Sequence, residues 1–229
     1  VQTAAAESKI GVTFADKSLL AQAFTHRSYL NENRGLGRGH NERLEFLGDA
    51  VLELAVTEHL YAAYPDRDEG DLTSYRAALV NTVVLADAAR ALGFNDLLML
   101  SRGEARDQGR ARVSILADAF EAVIGAIYLD QGYVASREFI ARVLLPKLPE
   151  IVEEGLWIDA KSRLQEKAQD VLSVTPSYRT VSEEGPDHDK RFIVAAMIGA
   201  DEIGRGTGKS KQDAEQDAAR AGLKQKGWL

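Results

Sequence analysis

Apolar residues recur at helical spacing from residue 16 to residue 145, and that period then gives way to short alternating runs, a change that calls for two differently built domains. The helical part holds the segments "DKSLLAQAFTH", "NERLEFLGDAVLELAVTEHLY", "DLTSYRAALVNTVVLADAARAL", "SILADAFEAVIGAIYLDQG" and "SREFIARVLL". Breaks are expected at 34–40, 64–70 and 101–112, where Gly, Pro or charge accumulates. Pro146, Pro149 and Gly155 punctuate the stretch beyond residue 145, so an all-α domain is expected over 1–147 and a linker over 148–158. Residues 159–229 have the pattern of a small α+β domain of order α-β-β-β-α. It comprises a helix over 159–172, three β-type runs "PSYRTVSEEG", "KRFIVAAMIG" and "DEIGRGTG", and a closing helix from Ser210 to about Lys226.

None of the 229 residues is cysteine, which excludes disulfides, thiolate zinc sites and cysteine nucleophiles and fits a reducing compartment. The start, "VQTAAAESKIGVTF", shows no basic segment followed by an apolar run, and no stretch reaches the roughly 18 apolar residues of a membrane span. A soluble cytoplasmic protein without membrane contact is expected. A net charge of −7 taken alone disfavours a polyanionic ligand. The acid excess is confined to residues 1–155, whereas acids and bases balance over 156–229. To handle phosphates, the first part would need metal ions or the help of the second.

Glu42, Glu45 and Asp49 of "HNERLEFLGDAVLEL" (40–54) fall at i, i+3 and i+7, on one face of a helix. Leu44, Phe46, Leu47, Ala50, Val51, Leu52 and Leu54 cover most of the remaining circumference, so this helix is expected to be buried on several sides. In "SILADAFEAVIGAIYLD", Asp118 and Glu121 repeat the arrangement at i and i+3. An acid on a helix is usually solvated or paired, and Arg43 is available for that. Two apolar helices that each carry acids, with no matching Lys or Arg density inside, point instead to a shared pocket. Carboxylates that close would take up protons at neutral pH unless a divalent cation were present. Oxygen-only ligation selects Mg²⁺ or Mn²⁺ over zinc. A carboxylate-held Mg²⁺ serves phosphoryl chemistry, lowering the pKa of a water and stabilising the attacking and leaving oxygens. His26, His40 and His59 lack metal-ligand spacing, and "RGLGRG" follows no strand and reads as a turn.

"HNERLEFLGDAVL" resembles the signature of the bacterial ribonuclease III family. "FTHRSYL" (24–30), "DEGDLTSYRAALVN" (68–81) and "ILADAFEAVIGAIYLD" (115–130) resemble its companion motifs in the same order. The tail, ending in "GTGKSKQDAEQDAA", resembles a double-stranded-RNA-binding domain, so the resemblance spans nearly the whole chain. It implies a Mg²⁺-dependent endonuclease, with Mn²⁺ as substitute and no organic cofactor. Such an enzyme cleaves double-stranded RNA to 5′-phosphate and 3′-hydroxyl ends with a short 3′ overhang, in processing of ribosomal and other structured transcripts. Glu45, Asp49, Asp118 and Glu121 match the family's metal-binding and catalytic carboxylates, with Asp49 and Glu121 as the leading catalytic pair. Glu42 and Glu69 match acidic positions that place the RNA strand or the partner subunit. The strands of a duplex are related by local two-fold symmetry, so a homodimer would present one site to each. "AVIGAIYL" is a candidate for dimer surface and equally for core.

The tail supplies candidates for holding RNA. Lys209 and Lys211 flank Ser210, the expected N-cap, with Asp213 as capping-box partner, so cations and helix N–H groups would face one phosphate strip. Gln165, Glu166 and Gln169 share the outer face of the first tail helix, where they would reach minor-groove edges. His188 matches a loop position that enters a neighbouring groove in the family. Gln212 and Glu215 stand where many such domains carry Lys, which implies modest affinity with strong salt dependence. Two rivals have other chemistry: a non-catalytic duplex-binding protein, disfavoured by retention of all the acids, and a Mg²⁺ hydrolase of small phosphate compounds, disfavoured by the tail.

Overall fold

The structure, a computed structural model, describes residues 3–33, 37, 39–106, 110–153, 157, 159–186 and 190–228. It divides into two compact units, Val1–Glu153 and Glu154–Leu229. Among the described residues, no helix is long and apolar enough to cross a membrane.

The first unit is helical and is organised by two long helices, α4 (Glu42–Ala63) and α7 (Arg110–Val143), which pack on each other more extensively than any other pair of elements. Around them lie α1 (Thr3–Ile10), α2 (Lys17–Ala23), α3 (Arg27–Glu32), α5 (Glu69–Leu79), α6 (Thr82–Ala91) and α8 (Leu148–Glu153). Buried rings link the layers: Phe24 meets Phe94 edge-on at 4.9 Å, and Phe120 lies 6.3 Å from Phe94 and 5.6 Å from Phe139. Gly132, with φ +81°, interrupts α7 where the sequence pattern separates two helical segments. The long run 71–92, by contrast, divides into α5 and α6, because the Asn81 side chain accepts from the N–H groups of Val83 and Val84 and starts a new helix.

One expectation needs correction, an open one is decided, and a third is narrowed. Residues 148–153 are not linker: they form α8, which buries Leu148 and Ile151 in the first unit. "AVIGAI" is wholly core, with Ala122–Ile127 buried, and only Tyr128 and Leu129 of that motif reach the surface. α4 is buried along Leu44, Val51, Leu52, Ala55 and Val56, but Phe46, Ala50 and Leu54, expected to add to its apolar cover, are spaced i, i+4 and i+8 as an exposed stripe.

The second unit has the expected order: α9 (Ala160–Leu172), β1 (Ser177–Glu184), β2 (Arg191–Ile198), β3 (Asp201–Gly208) and α10 (Lys211–Lys226). The strands form one antiparallel sheet in the order β1-β2-β3. Its core joins Leu164 of α9, Val194 and Ala196 of β2, Ile203 of β3, and Ala214, Ala218 and Leu223 of α10. Side chains alternate along a strand, so Gly204, Gly206 and Gly208 all face α10 and let its backbone lie directly on the sheet.

Candidate active site

The acids meet because two helix backbones touch. A methyl group at position 48 would lie 1.8 Å from the Glu121 carbonyl oxygen, and one at position 125 would lie 2.2 Å from the Leu44 carbonyl oxygen. Only glycine at both positions allows α4 and α7 to cross this closely. Gly48 stands between Glu45 and Asp49, so the crossing delivers those carboxylates to the face of α7 that carries Asp118 and Glu121. One carboxylate oxygen from each of Glu45, Asp118 and Glu121 lies within 4.8 Å of the others. Asp49 is more exposed, yet it is the strongest like-charge neighbour of Glu121.

Burial, reinforced by Asp49, Asp118, Glu45 and Glu53, pushes the Glu121 carboxyl up to about 8. Burial and the charges of Asp118, Glu42 and Asp49 push Glu45 up to about 6. Asp118 is also raised, chiefly by burial, against the opposing influence of His26 and a hydrogen bond from Ser114. Among the described residues, no Lys or Arg pairs with any of the four acids. Without a cation, folded Glu121 therefore keeps a proton that the unfolded chain gives up near pH 4.5. Stability fully present below that value is lost as pH rises toward and through about 8. A compact set of oxygen donors that repel one another, with no sulfur or imidazole ligand, fits a hard divalent cation.

The remaining candidates of this unit lie around the group. Glu42 is at its edge, 3.2 Å from Arg27 and 3.7 Å from His40. Glu69 does not join the cluster: it opens α5, exposed, in a groove with Tyr61, Arg67 and Arg76. Sequence reasoning missed Gly48, Gly125 and the pair formed by Arg76 and Glu53, whose Nε and Oε2 are 2.7 Å apart. Arg76 also donates to Thr57 at 2.9 Å and so holds Glu53 beside the acid face of α4. The glycines carry a legible signal, each being the one residue without a side chain between two acids or within a core run.

In the second unit Gln165, Glu166 and Gln169 are exposed on α9, with Leu164 and Ala168 buried on the opposite side. Lys209 is exposed as well. Ser210 caps α10, its hydroxyl accepting from the Asp213 N–H at 3.1 Å and donating to the Asp213 carboxylate at 2.8 Å. Lys211 is held by Glu183 at 3.0 Å. Glu215 turns to Lys161 of α9. His188 lies outside the described residues.

Residues 16–148 match a family described as ribonuclease-III-like, and residues 160–226 match the double-stranded RNA binding motif. The chain is 48% identical over 214 residues to the ribonuclease 3 of Desulforamulus reducens, covering 93% of this chain and 87% of that one. It is 46% identical to the ribonuclease 3 of Geobacillus kaustophilus, covering 95% and 88%. The solved nuclease domain of ribonuclease III from Campylobacter jejuni is 40% identical and superposes with a TM-score of 0.57 over 63% of this chain and 97% of that one. A helical unit and an α-β-β-β-α unit, each matched in turn and together by relatives of the same build, leave one conclusion: the chain belongs to the ribonuclease III family of endoribonucleases.

Proposed function

We propose that the chain hydrolyses double-stranded RNA with Mg²⁺, for which Mn²⁺ substitutes, leaving 5′-phosphate and 3′-hydroxyl ends with a short 3′ overhang. Its substrates are ribosomal and other structured transcripts in the cytoplasm. The observation that carries this is the convergence of mutually repelling carboxylates from α4 and α7, unmatched by basic side chains among the described residues, in a chain that also has a duplex-RNA-binding domain.

Glu45, Asp49, Asp118 and Glu121 would hold the cation through carboxylate oxygens, with Asp49 and Glu121 as the leading catalytic pair. When bound, the ion lowers the pKa of water and offsets the charge that builds up on the scissile phosphate. Glu121 would have to give up its proton for a cation to bind, as would Glu45 below about pH 6. In the reaction a water oxygen forms the new bond to phosphorus, and the bond from phosphorus to the 3′ oxygen breaks. Water loses a proton and the 3′ oxygen gains one. Glu42, steadied by Arg27, and Glu69 on α5 place the strand or the partner subunit. Gln165, Glu166, Gln169, His188, Lys209, Ser210 and Lys211 hold the duplex.

Long duplex RNA incubated with Mg²⁺ tests this. The parent protein cleaves it, and Glu121→Gln binds it while losing activity by on the order of 10³-fold. Binding without cleavage by both proteins would favour a pure binder. Hydrolysis of small phosphate esters with the duplex left intact would favour the small-substrate hydrolase.

The enzyme acts as a homodimer, one site to each strand. Support comes from the α4 stripe, where Phe46 is 82% and Leu54 52% exposed, and from Leu129, which with Phe46, Leu19 and Leu44 lines a groove of about 600 Å³. The Campylobacter jejuni nuclease domain is described as having a region involved in dimer formation. Phe46→Glu is expected to shift sedimentation from dimer to monomer at micromolar concentration, with the melting temperature of the individual chain little changed because Phe46 is outside the core.

A further inference from the structure

One carboxylate in the second unit holds two cations on the side of the sheet where α10 begins. Glu183, near the end of β1, places Oε1 3.0 Å from Nζ of Lys211 and Oε2 3.7 Å from Nζ of Lys190. The Lys211 ammonium also lies 5.7 Å from the ring centre of Phe192, the residue opposite Glu183 on β2. β1, β2 and the first turn of α10 thus meet at this acid, beside the helix start that follows Lys209 and Ser210. The hydrogen bond from Lys211 holds the Glu183 carboxyl below its usual range, so the acid is charged at any working pH.

We propose that Glu183 is an internal competitor for RNA: its carboxylate occupies Lys211 and Lys190 in the free domain as a backbone phosphate would, and duplex RNA binds this corner by displacing it. The inference rests on Lys211 meeting an RNA phosphate, as proposed above. With Glu183 paired to its lysines, this corner presents one positive charge fewer to an arriving polyanion than it would without the acid. Fewer counterions are then released from the RNA, and the salt-dependent part of the affinity falls. All three side chains are partly exposed, so the pairs are screened and weak enough to open. The opposite role, in which Glu183 merely aligns the lysines for RNA, predicts the opposite sign on its removal. Competition also hastens release of cut duplex, because the departing phosphates are replaced from within the domain.

The test uses the full chain and a duplex of about 20 base pairs, long enough for the roughly 16 that such a domain spans. Binding is measured in chelator across about 50–200 mM salt, with RNA integrity checked on the same samples. Glu183→Gln is expected to tighten binding about two- to fivefold and to steepen the plot of log affinity against log salt by up to about 1. Lys211→Ala weakens binding, and adding Glu183→Gln to it recovers less than Glu183→Gln gains alone. If Lys211→Ala weakens binding while Glu183→Gln leaves it unchanged or weaker, competition is overturned and the RNA contact stands. If Lys211→Ala binds like the parent, the RNA contact itself is wrong and the proposal falls with it.

Discussion

Gly48→Ala is expected to destabilise the nuclease unit by more than about 3 kcal/mol and to abolish cleavage. Alanine is ordinarily the better helix former by about 1 kcal/mol, so an unhindered site would gain stability. Here the added methyl would stand 1.8 Å from the Glu121 carbonyl oxygen, 2.6 Å from its carbon and 2.9 Å from the Gly125 nitrogen. All three obstacles are backbone, which cannot rotate out of the way as a side chain can. Overpacking in cores typically costs about 1–3 kcal/mol, and separating two whole helices belongs at or above that range. The melting temperature should fall by roughly 2–4 °C for each kcal/mol lost. In molecules that still fold, a shift of about 1 Å between α4 and α7 costs on the order of 10²-fold in rate, since the acids of one helix no longer meet those of the other. Calorimetry and a cleavage assay check both parts. A variant as stable and active as the parent would mean that the helices do not cross at this residue.

Gly206→Val makes an equally large prediction for the second unit. Valine is a far better strand residue than glycine, so strand propensity alone predicts stabilisation. Yet a Cβ at position 206 would lie 2.1 Å from the Ala218 nitrogen, 2.5 Å from the Asp217 carbonyl carbon and 2.6 Å from the Ala214 carbonyl oxygen. α10 would be lifted off the sheet, and with it Ala214, Ala218 and Leu223 from the core that they share with Ile203 and Val194. A unit of this size has only a few kcal/mol of stability to lose. The expected result is loss of the strand signal of this unit by circular dichroism and loss of duplex binding at physiological salt. Mg²⁺-dependent cleavage at low salt should survive, because the acid cluster belongs to the other unit. Retention of tight duplex binding would contradict the packing of β3 on α10.

These two substitutions also mark where sequence stops being informative. Helical period places Glu42, Glu45 and Asp49 on one face without any coordinates, and the same holds for Asp118 and Glu121. That the two faces meet depends on Gly48 and Gly125, whose places between two acids and within a core run mark them in the sequence without saying which helix lies against them. The prolines misled for a related reason. Pro146 and Pro149 fall within the first residues of short helical turns, Leu145–Lys147 and α8, where no backbone N–H is needed, so they start structure instead of ending it. Asn81 stays hidden inside an apolar run because its capping role depends on backbone conformation and not on its neighbours. The partner of Lys211 is Glu183, on a strand well upstream, and such a pairing follows only from the fold.

The proposed function turns on the carboxylates of α4 and α7 forming one cation-binding group, and Mn²⁺ titration followed by electron paramagnetic resonance tests that most directly. Protons and cations compete for the same oxygens, and Glu121 holds its proton up to about 8. Apparent affinity should therefore climb between pH 6 and 8, by up to about tenfold per pH unit, and level off above. Glu121→Gln and Asp118→Asn should each weaken it and flatten the climb. Mn²⁺ affinity that is indifferent to pH across that range and equal in parent and variants would contradict a shared site.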